Sequence, residues 1–301
     1  MVKKAALWGS LLCLMFVCFL VYVLYPREQQ ESPHFEEQIT PVAAEAKPLA
    51  LMLTKEKEEY VRNILSEPFF FLDRGKQSSA FVSKNDLYVI KFLRKKPLVI
   101  KQQYENLPNI YPFTLLKRRL AKKREDRKEA LFESLVLSYT VIPDETGVIF
   151  VHLASSKPFK KTLFLLDSES NPHYLEVDNV QWFLQKKAQM IKPVLAEHMW
   201  QADEEGAKRR IDQIFDLLLQ CAKKEVADLD PNLIKNDNIG FTEDRAIYID
   251  IGKLRKKHVT KAEFVKNLDR LKLLARWLRE YYPDLADYFD KKKQATLDSY
   301  H

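Results

Sequence analysis

The sequence predicts an α+β protein in three successive parts: an N-terminal apolar span taken as a transmembrane helix, a strand-rich half and a helix-rich half. Three observations carry this reading. Residues 5–25 run for 21 positions without a charge. Short apolar runs separated by turn clusters dominate up to about residue 178. From there to about residue 281, apolar residues recur at three- and four-residue spacing. The boundaries that follow are a tail at 1–4, the span at 5–25, a flexible tether at 26–50, a leading helix at 51–65, a sheet lobe at 66–178, a helical lobe at 179–290 and a tail at 291–301.

The span has about the ~20 residues needed to cross a ~30 Å hydrocarbon core as a helix. It ends Leu20-Val-Tyr-Val-Leu24-Tyr25-Pro26, without the small-x-small pattern of a cleavage site, so it reads as an uncleaved anchor. Lys3 and Lys4 precede it and Arg27 follows, a bias that puts the N-terminus on the cytoplasmic side and the body of this single-pass protein on the far side. The 301 residues are 46% hydrophobic and 30% charged, which excludes a wholly disordered or collagen-like chain. Cys13 and Cys18 fall inside the span and Cys221 stands alone beyond it, which excludes a disulfide framework.

The tether is rich in Glu, Gln, Pro and Ala. Leu53, Tyr60, Val61, Ile64 and Leu65 have helical spacing, and 69–72, 79–83 and 87–93 read as strands. Residues 112–138 predict one long helix or two broken ones around a charged middle at 122–129. Residues 140–142 and 148–153 flank a Pro-Asp-Glu-Thr-Gly cluster as a hairpin, and 162–166 with 174–177 form a second. Helical spacing then covers 180–200 and 211–222, followed by a strand at 246–250 and a last helix at 262–281.

Chemistry enters through the scarce glycines. Three of the five outside the span lie in Arg74-Gly-Lys-Gln-Ser-Ser-Ala-Phe81, Asn238-Ile-Gly-Phe241 and Ile249-Asp-Ile-Gly252. A lysine on a strand beneath a small-residue loop, as in Tyr88-Val-Ile-Lys91, places positive charge where a polyphosphate would sit, and loop N–H groups can cradle its oxygens. A carboxylate with a nearby amide oxygen, such as Asp250 with Asn238, suits Mg²⁺. A second carboxylate, Asp228 or Asp230, could accept the proton of an attacking hydroxyl.

In this order, over roughly residues 67–252, the motifs resemble those of a divergent protein-kinase-like catalytic domain. The resemblance implies a bilobal fold with an antiparallel sheet lobe and a helical lobe, using ATP and Mg²⁺. It implies a nucleotide held by Gly75, Ser78, Ser79 and Lys91, with Glu133, or its helical neighbour Glu129, pairing with Lys91. Asn238 and Asp250 would be the metal ligands, and Asp228 or Asp230 the catalytic base. The chain departs from the family pattern in several places. The phosphate loop keeps one glycine of three, no His-Arg-Asp triplet is present, and the Asp228-to-Asn238 loop is long, with Asn236 competing for the amide role. Gly252 is followed by 49 residues without an Ala-Pro-Glu. A compact, small-molecule-kinase-like or inactive version is expected.

Two functions follow: a membrane-anchored phosphotransferase acting on a hydroxyl of an unknown protein or small molecule, or a pseudokinase serving as a tethered binding or scaffolding module. A domain on the far side of a bacterial membrane would meet little ATP, which favours the second. The basic run 117–128 reads as a solvated helix face or a contact for anionic lipid headgroups, and no recognised nucleic-acid-binding motif accompanies it. The histidines are too scattered for a zinc site. Cys221, Trp182, Trp200 and Trp277 are expected to be packing residues.

Overall fold

A computed structural model describes residues 39–42, 53–95, 109–154, 158–230 and 238–300. The expected span at 5–25, most of the tether and the loop at 231–237 lie outside the described residues. Among the described residues no helix is long and apolar enough to cross a membrane.

Helix α1 (Lys55–Ile64) is capped by Thr54, whose side chain accepts from Lys57 N, and it buries Val61 and Ile64. Strands β1 (Phe69–Arg74), β2 (Ser78–Ser83) and β3 (Tyr88–Leu93) follow as an antiparallel meander. Helix α2 (Phe113–Thr140) is unbroken. After the helical turn α3 (Pro143–Thr146) come β4 (Val148–His152), the hairpin β5 (Thr162–Leu166) and β6 (Pro172–Glu176), and β7 (Trp182–Lys186). These seven strands form one sheet in the order β4-β7-β3-β2-β1-β5-β6.

The sequence expectation fails in three places here. Residues 140–142 end a helix rather than open a hairpin, because the Pro143 cluster makes a helical turn whose Thr146 hydroxyl bonds back to Ser138 O and Ile142 O. Residues 182–186 are a strand, not a helix. Trp-Phe-Leu-Gln lie between β3 and β4 with both faces buried, so the alternation that betrays a half-exposed strand is missing. The sheet lobe therefore reaches Lys186, beyond the expected limit of 178. Part of the expected flexible tether is also pinned: residues 39–42 bridge Arg94 and Val180.

The chain crosses to the second lobe through Lys187 and Ala188 into β8 (Gln189–Met190), which pairs with β10 (Ile239–Phe241) and through it with β11 (Ala246–Tyr248). Gly240 is required at this crossing, since a Cβ there would lie 2.5 Å from Gln189 O. Helices α4 (Ile191–Trp200) and α5 (Glu204–Lys223) lead to β9 (Val226–Asp228), which pairs with β12 (Leu254–Lys256). Helices α6 (Lys261–Asp269), α7 (Lys272–Tyr281) and α8 (Pro283–Asp298) close the lobe. The expected last helix is thus broken after Asp269, and the expected tail at 291–301 is largely α8, whose Leu285, Ala286 and Phe289 are buried. Trp182 packs in the core as expected, but Trp200 is 86% exposed.

Each lobe has its own core. Phe69, Phe81, Ile90, Phe92, Phe159 and Trp182 centre the sheet lobe. Ile211, Phe215, Leu218, Phe264, Leu274 and Phe289 centre the helical lobe. Between them, the buried Gln185 amide donates to Thr146 O at 2.6 Å and to Tyr248 O at 2.7 Å.

Candidate functional site

The site forms where β3 faces the loop after β11. Asp73, Ala80, Lys91 and Phe183 are successive cross-strand partners, so they share one face of the sheet. Small Ala80 leaves room beside the lysine. The Lys91 ammonium lies 5.5 Å from the Phe183 ring centroid and donates to Ile249 O at 2.7 Å. Burial pushes Lys91 from the usual 10.5 down to about 8, against the pull of Asp250 and Asp73, which favour the charged form.

Ile249 is a junction. Its N–H donates to Asn238 O at 2.8 Å, its carbonyl receives Lys91, and the next residue is Asp250. Lys91 and Asn238, both singled out from sequence, are thereby joined through the backbone of one residue, Ile249, with Asp250 next in the chain and Asn238 reached by its backbone carbonyl. Asp250 is exposed and its Oδ1 accepts from Gly252 N at 3.1 Å, while Asn238 is 4% exposed. Asn238 Nδ2 is buried with no hydrogen-bond partner among the described residues. The Asp250 carboxylate and the Asn238 side-chain oxygen are the oxygen donors a Mg²⁺ would take here, while the unpartnered Asn238 Nδ2 is an N–H donor and would not bind metal.

The 75–78 loop is tighter than the sequence suggests. Gly75 N donates to Ser78 O at 2.9 Å, closing a short turn. Ser78 is half-buried and Ser79 only 1% exposed, so the Ser79 hydroxyl faces the sheet interior rather than a ligand. Gln77 reaches across to the other lobe, and a Cβ on Gly252 would lie 2.5 Å from its Oε1.

Glu133 does not reach Lys91: it is exposed, as is Glu129. The neighbouring Ser134 is buried and its hydroxyl donates to Ile251 O and accepts from Leu254 N at 2.8 Å. Helix α2 is therefore fastened to the Asp250 loop through a serine, and Lys91 has a carbonyl where a glutamate was expected.

The two candidate bases are in different states. Asp228, at the end of β9, is 8% exposed and its Oδ2 meets Arg270 Nη2 at 2.6 Å. Burial pushes its carboxyl above the usual range, with Arg270 pulling the other way. Arg270 also donates to the carbonyls of Asp228 and Asp230. Asp230 Oδ2 meets Lys253 Nζ at 2.7 Å, and hydrogen bonding to Asp230 raises Lys253, with Asp250 and Asp228 adding to the effect. Gln77, Arg94, Ser134, Lys253 and Arg270 were not singled out from the sequence. Lys253 had one signal, its place directly after Gly252; the others depend on distant partners.

No family model matches the chain, and no curated protein matches it. Among solved structures it is similar to the bifunctional kinase-methyltransferase WbdD, at 15% identity and a TM-score of 0.30, over 72% of this chain and 43% of that one. The chain thus spans less than half the length of that protein.

Proposed function

We propose that the chain is a membrane-anchored kinase-like protein that holds a magnesium–nucleotide between its lobes and transfers a phosphoryl group to a hydroxyl acceptor. The observation that supports it is the Ile249 junction, whose backbone bonds the strand lysine Lys91 across the lobes and the Asn238 carbonyl, with Asp250 the next residue in the chain. In this reading Lys91 meets the nucleotide phosphates, and Asp250 and Asn238 hold Mg²⁺. The metal would neutralise charge that builds on the phosphoryl oxygens. Asp230 accepts the proton of the acceptor hydroxyl, with the Lys253 ammonium beside it keeping the carboxylate ionised. Asp228 is the weaker choice of base, because both of its oxygens are engaged, Oδ1 by the Asp230 N–H and Oδ2 by Arg270.

A second reading has a specific basis. Among the described residues Lys91 has no glutamate partner, and the Gln77 side chain lies against Gly252. A tethered pseudokinase that binds without turnover accommodates both facts. In either reading residues 5–25 anchor the chain. The run 117–128, exposed at 118, 119, 121–123 and 125–127, faces anionic lipid.

The test is thermal unfolding of the full chain in detergent, with and without ATP and Mg²⁺, beside Lys91→Ala and Asp250→Ala. At 100 times its dissociation constant a ligand stabilises by about 2.7 kcal/mol. A shift that requires magnesium and is lost in both variants supports the site, and phosphate transfer to an acceptor then selects the enzyme. No shift in folded protein removes the nucleotide from both readings.

A further inference from the structure

The strap at residues 39–42 lies against the ends of β3 and β7. Thr40 N donates to Leu93 O at 2.7 Å, Gln181 N to Thr40 O at 2.9 Å, and Val42 N to Asn179 O at 3.0 Å. Ile39, 2% exposed, sits in the sheet-lobe core and is bridged to Arg94. The strap is therefore a short added strand, held by backbone bonds on both sides.

Arg94 is the next link. It is 8% exposed, its backbone N–H donates to Gln77 O at 2.9 Å, and its Nη1 donates to Gly75 O at 2.9 Å. Two carbonyls of the loop between β1 and β2 are thus held by one residue, and the side chain of the same Gln77 lies against Gly252. A guanidinium bonded to a backbone carbonyl fixes that carbonyl's direction, and with it the direction of the neighbouring N–H groups.

We propose that Arg94 is a positioning residue for the 75–78 loop, and that the 39–42 strap sets its position. The segment entering from the N-terminal side thereby governs nucleotide access to Lys91. The nucleotide part of this inference rests on the function proposed above; the coupling of strap to loop does not. Displacing the strap frees the end of β3, lets Arg94 move and leaves the loop carbonyls unheld. The loop then opens and closes without a fixed geometry.

Two substitutions in the full chain test this by amide hydrogen exchange and by binding of a fluorescent ATP analogue with Mg²⁺. Thr40→Pro removes the N–H that bonds Leu93 O, and Arg94→Lys keeps the charge while losing the planar fork. Both are expected to raise exchange of the 75–78 amides tenfold or more, with the amides of β4 and of α5 unchanged. Both should weaken the analogue by a similar factor. Unchanged loop exchange in Thr40→Pro overturns the coupling. Unchanged loop exchange in Arg94→Lys overturns the positioning role. Should Thr40→Pro expose the whole sheet to exchange, Ile39→Ala, a milder loosening of the strap, decides the coupling by the same comparison. Raised loop exchange in a protein whose wild type binds no analogue supports the coupling and overturns its nucleotide consequence.

Discussion

Arg270 Nη2 stands 2.6 Å from Asp228 Oδ2, with the two side chains 13% and 3% exposed. Arginine so placed is a clamp on the loop after β9, since it also binds the carbonyls of Asp228 and Asp230. Removing one partner of a buried pair leaves the other charged and dry, at a cost of about 3–5 kcal/mol. Arg270→Met is expected to lose stability on that scale in urea unfolding. The double variant Asp228→Asn/Arg270→Met should recover part of the loss, because no buried charge is stranded.

Lys91 carries a pH signature. Between about pH 8 and 10.5 the unfolded chain keeps a proton on Lys91 that the folded protein has released. Stability must then rise with pH across that window, by up to about 3 kcal/mol relative to Lys91→Met, and the difference levels off below pH 8. Urea midpoints of the two proteins from pH 7 to 10.5 check this. A nucleotide bound at Lys91 restores its proton, so binding above pH 8 should take up protons, which calorimetry in buffers of different ionisation enthalpy measures.

Ser134 and Glu133 are neighbours with opposite expected effects. Ser134→Ala strips a donor from Ile251 O and an acceptor from Leu254 N inside the protein, costing about 1–3 kcal/mol. Glu133→Ala touches an exposed residue and should stay within about 0.5 kcal/mol of wild type. Should Glu133→Ala instead abolish nucleotide binding while Ser134→Ala spares it, the family-derived pairing with Lys91 would be reinstated.

Asp230 separates binding from chemistry. Asp230→Asn is expected to keep nucleotide affinity within about threefold and to lose at least about a hundredfold in transfer rate, the usual scale for a general base. The matching comparison is Asp228→Asn, whose main effect should be on stability. Single-turnover transfer and nucleotide affinity, measured on both variants, tell the two aspartates apart.

Much of the local structure was legible because its patterns are local. Strands β1 to β3, the β5–β6 hairpin and helix α2 were anticipated, with ends shifted by a few residues. Strand β7 was not, since Trp182 to Gln185 are buried on both faces and show no period. At the site, Lys91, Asn238 and Asp250 could be named from motif order, and the structure sets Lys91 and the Asn238 backbone on Ile249, next to Asp250. Glu133 failed by one residue, which on a helix is about 100° of rotation. The charge pattern of α2 gave no sign of which face would dock. Arg270 is 42 positions from Asp228 and Gln77 is 175 from Gly252, so neither contact leaves a trace in sequence spacing.

The Gln185 carboxamide has a mechanical consequence. One planar nitrogen fastens the turn at Thr146 and the strand end at Tyr248, so both attachments share a single rigid plate at the crossing between lobes. A wide swing of one lobe from the other must break the bond to Tyr248 and leave its carbonyl dry, while the bond to Thr146 stays within the sheet lobe. A small rocking about the Gln185 side chain keeps both. The crossing between the lobes is therefore held stiff by this one side chain, whose two bonds restrain the turn at Thr146 and the strand end at Tyr248 together.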